Sequence, residues 1–64
     1  MDKFMTVEEV AEALRKTPGA LRYQIHAGTA PPSARIMGRR LFKESDVIAW
    51  IERQFVAEDH KAMA

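Results

Sequence analysis

The sequence lacks cysteine, and it contains no long run of apolar residues. Without cysteine, neither a disulfide framework nor a thiolate zinc site can form. The two histidines, His26 and His60, lie too far apart to indicate a metal site by their spacing. No segment approaches the length of a membrane span, and acids stand near the start of the chain, where a signal peptide would be apolar. We therefore expect an intracellular, cytoplasmic protein with no metal, no cofactor and no membrane contact.

The length of 64 residues allows one small domain, near the lower limit at which a core holds without covalent staples. We expect the folded domain to span residues 1–57 and residues 58–64 to form a flexible tail.

The sequence also lacks groups of residues that would indicate catalysis. Ser33 and Ser45 have no base near them in the sequence and no strained turn around them, so the protein is not expected to be an enzyme.

Acidic residues are missing from the middle of the chain. Between Ala13 and Lys43 there are seven bases and no acid, whereas the flanks hold all nine acids and three bases. The middle therefore carries a charge of +7 and the flanks together carry −6. Such segregation indicates a surface that binds a polyanion, with acidic elements behind it, although a chance run of charge on a solvated surface would look the same.

The segment from Thr17 to Gly28 predicts a short helix with two different faces. Thr17 is a suitable N-cap, Pro18 suits the first helical position, and Gly28 suits a left-handed end. At about 100° per residue, the inner face holds the residues Leu21, Gln24, Ile25 and Gly28. The outer face holds Gly19, Arg22, Tyr23 and His26. This outer face offers hydrogen-bond donors, an aromatic ring and a cation, and is therefore suited to contact with DNA.

A helix precedes this segment. Thr6 and Glu9 have the spacing of a capping box, and apolar residues then recur with helical spacing, so the first helix is expected from about Val7 to Arg15. Only Arg15 and Lys16 separate it from Thr17, which is the arrangement of a helix-turn-helix. Both of these side chains are expected to project toward the basic face.

A loop rich in proline and a hairpin follow the second helix. Two short extended runs surround Gly38, and we expect glycine at the first position of a tight turn, with Ile36 and Phe42 facing the core. A third helix is expected from Ser45 to near Ala57. Its apolar side is expected to consist of Val47, Ile48, Trp50, Ile51 and Phe55.

The order of these elements resembles that of the excisionase-type small winged-helix DNA-binding proteins, which are relatives of the DNA-binding domain of MerR-like regulators. The resemblance covers about Met5 to Arg53. It rests on the segments Thr6-Val7-Glu8-Glu9-Val10-Ala11-Glu12, Leu21-Arg22-Tyr23, Gly38-Arg39-Arg40-Leu41-Phe42 and Ser45-Asp46-Val47-Ile48-Ala49-Trp50-Ile51. It implies an α+β, mainly α, winged helix-turn-helix: helix, turn, helix, two-stranded wing, helix.

The resemblance also implies that the second helix enters the major groove of double-stranded DNA while the wing contacts phosphates or the minor groove. With the basic residues of the middle segment added, two sets of candidate contacts result. The recognition helix contributes Thr17, Gly19, Arg22, Tyr23 and His26. The turn and wing contribute Arg15, Lys16, Arg35, Arg39, Arg40 and Lys43. Many relatives have glycine near the position of Arg15, and Pro18 and Gly19 replace polar side chains that often reach DNA.

Two uses of DNA binding remain open, an architectural role as an excisionase-like factor and a role as a small transcriptional regulator. The sequence shows neither the long dimerising helix nor the effector domain of MerR-like regulators. We therefore expect a monomer that binds DNA in several head-to-tail copies, associated with the nucleoid when bound. An integrase or RNA polymerase is a candidate partner. The alternative function is that of an interaction adaptor, in which the same fold binds an acidic protein.

Overall fold

Three helices and three strands make up the computed structural model, which describes the backbone of residues 2–63 and the side chains of residues 2–59. In chain order they are β1 (Phe4–Thr6), α1 (Val7–Ala13), α2 (Pro18–Ala27), β2 (Ala34–Ile36), β3 (Arg39–Lys43) and α3 (Glu44–Met63). The mainly helical α+β composition and the order of the elements confirm the predicted winged helix-turn-helix fold.

The sheet has three antiparallel strands in the order β1-β3-β2, where two strands were predicted. β1 lies in the stretch that sequence analysis left without an element. It pairs with β3 and places Met5 opposite Phe42. Thr6 ends this strand and caps α1 as well, so β1 holds the start of the helix-turn-helix against the wing.

The wing, which we define as β2, β3 and the turn between them, has a different turn from the one predicted. Ile36 pairs with Arg39, so Met37 and Gly38 form a two-residue turn with glycine second. Both have positive φ, 51° and 79°, as a type I′ turn requires. Ile36 is 45% exposed, so its predicted inward position is wrong, whereas the predicted burial of Phe42 is confirmed.

The starts of the first two helices follow the sequence signals. Thr6 and Glu9 form the reciprocal capping box, with hydrogen bonds of 2.9 and 3.2 Å. The Thr17 hydroxyl oxygen accepts a hydrogen bond from the Ala20 amide at 3.1 Å, and Pro18 begins α2. Because each cap satisfies amides that the helix itself leaves unpaired, these boundaries are fixed locally.

The two helices end in the same type of backbone motif. After α2, Gly28 has a φ of 80°, and the Thr29 amide donates to the Gln24 carbonyl at 2.9 Å. After α1, Arg15 has a φ of 58°, and the Lys16 amide donates to the Ala11 carbonyl at 2.9 Å. These bonds are those of a Schellman motif, in which glycine is the usual residue at the left-handed position. α1 therefore ends at Ala13, two residues before the predicted end at Arg15.

We expect Arg15→Gly to stabilise the protein by about 1 kcal/mol, because glycine adopts the left-handed conformation without the steric cost of a Cβ atom. In a domain of this size the melting temperature should rise by roughly 4–8 °C, measured by circular dichroism. Arg15→Ala is the matched control, since it removes the same charge and keeps the Cβ atom. An equal gain in both variants would assign the effect to relief of charge repulsion instead.

The core is small and draws on every helix. Its members are Val7, Val10, Ala11, Leu21, Phe42 and Val47, with Met5, Leu14, Ile25, Ala30 and Ile51 packed around them. The predicted apolar side of α3 is only partly confirmed, because Ile48 and Phe55 are exposed and Trp50 is half-buried. In the later turns of α3, the side chains of residues 52–59 are all exposed.

The amino-terminal segment fixes the start of α3. The Glu44 amide donates to the Lys3 carbonyl at 2.8 Å, and the Ser45 hydroxyl donates to the Asp2 carboxylate at 2.8 Å. The helix thus begins one residue before the predicted Ser45. It continues to Met63, so the predicted end near Ala57 is wrong.

The division into a domain at 1–57 and a flexible tail at 58–64 stays a prediction, and Ala64 lies outside the described residues. In the part of the chain that the structure describes, no helix has the length and the apolar content needed to cross a membrane.

Candidate nucleic-acid interface

An open cleft lies between the start of α1, the outer face of α2 and the wing. We call it the basic cleft. It is lined by Thr6, Val7, Glu8, Arg22, Ile25, His26, Arg35, Gly38, Arg39 and Arg40. Residues of α2 line one side of the cleft, and residues of the wing line another.

Five of the predicted contact residues meet in the basic cleft. Arg22 and His26 reach it from α2, while Arg35, Arg39 and Arg40 reach it from the wing. The sequence separates the two groups by a loop with two prolines. The structure brings their charges to one surface, which is the arrangement that a polyanion requires.

Arg22 forms an ion pair inside the cleft. Its Nη2 atom donates to Oε2 of Glu8 at 2.9 Å, and the two side chains are 58% and 63% exposed. Hydrogen bonding from its own backbone amide and from Arg22 lowers the pKa of the Glu8 carboxyl below its ordinary value; the charges of Arg22 and Arg39 add to this, and desolvation opposes it. Glu8 is therefore a carboxylate at neutral pH.

The wing arginines have different surroundings. Arg35 and Arg39 are exposed, whereas Arg40 is half-buried and its Nη1 atom donates to the Ser33 hydroxyl at 2.9 Å. The hydrogen bond joins β3 to the end of the proline-rich loop. Arg40 therefore contributes to the shape of the wing as well as to its charge.

A second cleft lies beside the turn between α1 and α2 and contains Arg15, Lys16 and Thr17, together with Glu12. The Lys16 ammonium donates to the Gln24 side-chain oxygen, and the Thr17 oxygen caps α2. Lys16 thus contacts the side chain of Gln24 on α2 and does not line the basic cleft, although it was expected to project toward the basic face. The contact roles predicted for these three residues stay predictions.

The remaining candidates lie outside both clefts. Tyr23 is 75% exposed and Gly19 is exposed, so both lie on the outer face of α2 as expected. A Cβ atom at Gly19 would meet no atom within 4 Å, so this part of the face is open. Lys43 is exposed at the end of β3, paired in register with Phe4.

Sequence analysis did not identify Glu8 or Ser33 as part of this site. Glu8 is 14 residues away from Arg22, and Ser33 is seven residues away from Arg40. Glu8 and Arg22 lie on different helices, so no local spacing relates them, and Ser33 was assigned to the proline-rich loop that precedes the hairpin. An acidic residue is common in the first turn of any helix, because the helix dipole favours it there. The position of Glu8 in the sequence therefore gave no sign of a role in the site.

The arrangement is suited to binding an anion through several guanidinium groups at once. Among the described side chains, no three His, Asp or Glu residues are grouped so as to hold a metal ion. In a comparison with known protein families, a family model described as a helix-turn-helix domain matches residues 4–55. No curated protein and no solved structure matches the chain.

Proposed function

The chain belongs to the helix-turn-helix domain family of excisionase-type small DNA-binding proteins, and we propose that it binds duplex DNA with α2 in the major groove and the wing on the backbone or in the minor groove. One observation carries this proposal: cations from the outer face of α2 and from the wing line one open cleft. The groove contacts would come from Arg22, Tyr23 and His26.

The dimensions of α2 support the proposed docking. A helix with its side chains is about 10–12 Å across, which fits the major groove of B-DNA, about 12 Å wide, and the 10 residues of α2 extend for about 15 Å. With α2 in the groove, the wing arginines on the other wall of the cleft come near the adjacent backbone. Contacts to phosphate would hold the protein, and the outer face of α2 would read base edges.

A titration against duplex DNA of random sequence tests the proposal. Fluorescence anisotropy should show binding that weakens steeply between about 50 and 200 mM salt, because phosphate contacts release counterions. The adaptor hypothesis requires an acidic protein as partner and no steep salt dependence on random DNA. Absence of binding even at the lowest salt would refute the proposed function.

We propose the wing as the main source of phosphate contacts. Arg35→Ala combined with Arg39→Ala should weaken binding to all duplexes alike and flatten the salt slope by about 0.9 for each lost contact. Both side chains are exposed, so the fold should persist. Lys3→Ala with Arg53→Ala removes the same charge outside both clefts. An unchanged slope in the wing variant would exclude the wing from the interface.

Several copies are proposed to bind side by side, since one helix and a few wing contacts supply little affinity at physiological salt. The two shorter dimensions of the protein, 28 and 18 Å, fit within one helical turn of about 34 Å. The acidic flanks of one copy would meet the basic middle of the next. Gel shifts should show successive bands as the DNA lengthens, and saturation at two copies on every length would contradict the array.

The proposed biological roles remain those of an excisionase-like architectural factor or a small transcriptional regulator. An array of copies along DNA favours the architectural role. A direct test is DNA bending, measured by energy transfer between dyes at the two ends of a duplex that carries several bound copies.

A further inference from the structure

The basic cleft contains one carboxylate among its cations. Four arginines line it, at positions 22, 35, 39 and 40, and Glu8 is the acid that lies with them. The Glu8 carboxylate is bonded to the arginine in the middle of the proposed reading surface. It takes no part in the capping box, whose two bonds are made by Thr6 and Glu9.

A phosphate and the Glu8 carboxylate would compete for the same group. Each is an anion with oxygens that accept from a guanidinium, and Arg22 already donates from Nη2 to Glu8. A phosphate brought into the cleft would also be repelled by Glu8, which stays ionised at neutral pH. Glu8 therefore opposes any ligand that offers the cleft only negative charge.

We propose that Glu8 is a specificity-determining residue, which holds Arg22 in the free protein and competes with DNA phosphate for it. The inference rests on the proposed function. On a random duplex, Arg22 exchanges one anion for another and gains little. On a preferred site, Arg22 gains bidentate hydrogen bonds to a guanine in place of the single bond from Nη2 that it gives to Glu8, so binding there is penalised less.

The test compares Glu8→Gln with the wild-type protein on two probes, a random duplex and a duplex selected from a random pool by the wild-type protein. Glu8→Gln should bind the random duplex up to about fivefold more tightly, because the variant side chain carries no charge to hold Arg22 or to repel phosphate. The gain on the selected duplex should be smaller, so the ratio of the two affinities should fall. The salt slope on random DNA should steepen by about 0.9, because in the variant the contact between Arg22 and phosphate no longer releases a carboxylate that attracts a cation in its turn.

Glu52→Gln is the matched control. It removes the same charge from an exposed position on α3, outside both clefts, and should leave both affinities nearly unchanged. Thermal unfolding of each variant checks the fold, and Glu8→Ala provides a second variant without the carboxylate. Both Glu8 variants should show the same direction of change.

The decisive measurement repeats Glu8→Gln in an Arg22→Ala background. If Glu8 acts by competing for Arg22, most of the gain on random DNA should disappear there, and only the part that comes from direct repulsion of phosphate by Glu8 should remain. A gain that persists in full would show that Glu8 acts only through the general field and would overturn the inference. Weaker or unchanged binding of Glu8→Gln on random DNA would overturn it too, and would assign Glu8 a positioning role or none. The proposed function fails separately, if the wild-type protein does not bind DNA at all.

Discussion

Phe42→Ala should leave a large share of the protein unfolded at physiological temperature. Phe42 is 1% exposed and is one of the largest side chains in the core. Truncation of a buried phenylalanine costs about 3–5 kcal/mol, because transfer free energy is lost and a cavity remains. A domain of this length has a total stability of roughly 3–10 kcal/mol, so the loss is comparable to the whole.

The expected loss is large because Phe42 joins all parts of the fold. Its strand pairs with both other strands, Met5 lies opposite it, and it shares the buried cluster with residues of every helix. Circular dichroism during urea or thermal unfolding measures the change. Phe55→Ala is the control, since it makes the same truncation at a side chain that is 69% exposed. A cooperative transition of Phe42→Ala within a few degrees of wild type would contradict this account of the core.

The features that could be predicted from the sequence are those determined by neighbouring residues. The capping box at Thr6, the start of α2 at Thr17 and Pro18 and its left-handed end at Gly28 each depend on bonds across a few positions. The outward face of α2 follows from helical spacing. For these reasons the helix-turn-helix was predicted nearly as the structure has it.

The features that were missed depend on residues far apart in the chain. β1 has three residues and exists because β3 lies beside it, so no periodic pattern could identify it. The apolar residues of α3 predict a buried side, but Ile48 is exposed beside the buried Val47, and Phe55 lies in the later turns, where residues 52–59 are all exposed. In the wing, Met37 takes a left-handed conformation that is unfavourable for its side chain, which is why the turn was placed one residue late.

The candidate site was predicted as two separate groups of cations and not as one cleft. Sequence spacing gave the outer face of α2 and the basic hairpin, but the distance between them depends on tertiary packing. The Glu8–Arg22 pair depends on how α1 and α2 cross. It changes the interpretation of Arg22, which was predicted as a DNA contact without an acidic neighbour and is paired with Glu8 in the free protein.

Arg22→Ala should weaken binding to the preferred duplex by roughly 1–3 kcal/mol and reduce the selectivity for that site. Arg22 lies on the outer face of α2, and guanidinium has five N–H donors, of which one is given to Glu8. The others can clamp the O6 and N7 atoms of a guanine. On a random duplex the loss should be small, because phosphate only replaces the Glu8 carboxylate there.

Binding of wild-type and variant proteins to the selected duplex and to a scrambled copy, at one salt concentration, measures both effects. Arg53→Ala controls for charge, because it removes an exposed arginine on α3 that lines neither cleft. It should change both affinities slightly and equally. A loss for Arg22→Ala that is equal on both duplexes would mean that Arg22 holds a phosphate and reads no base. In that case the selectivity would have to come from Tyr23 and His26, the other exposed polar side chains on the same face of α2.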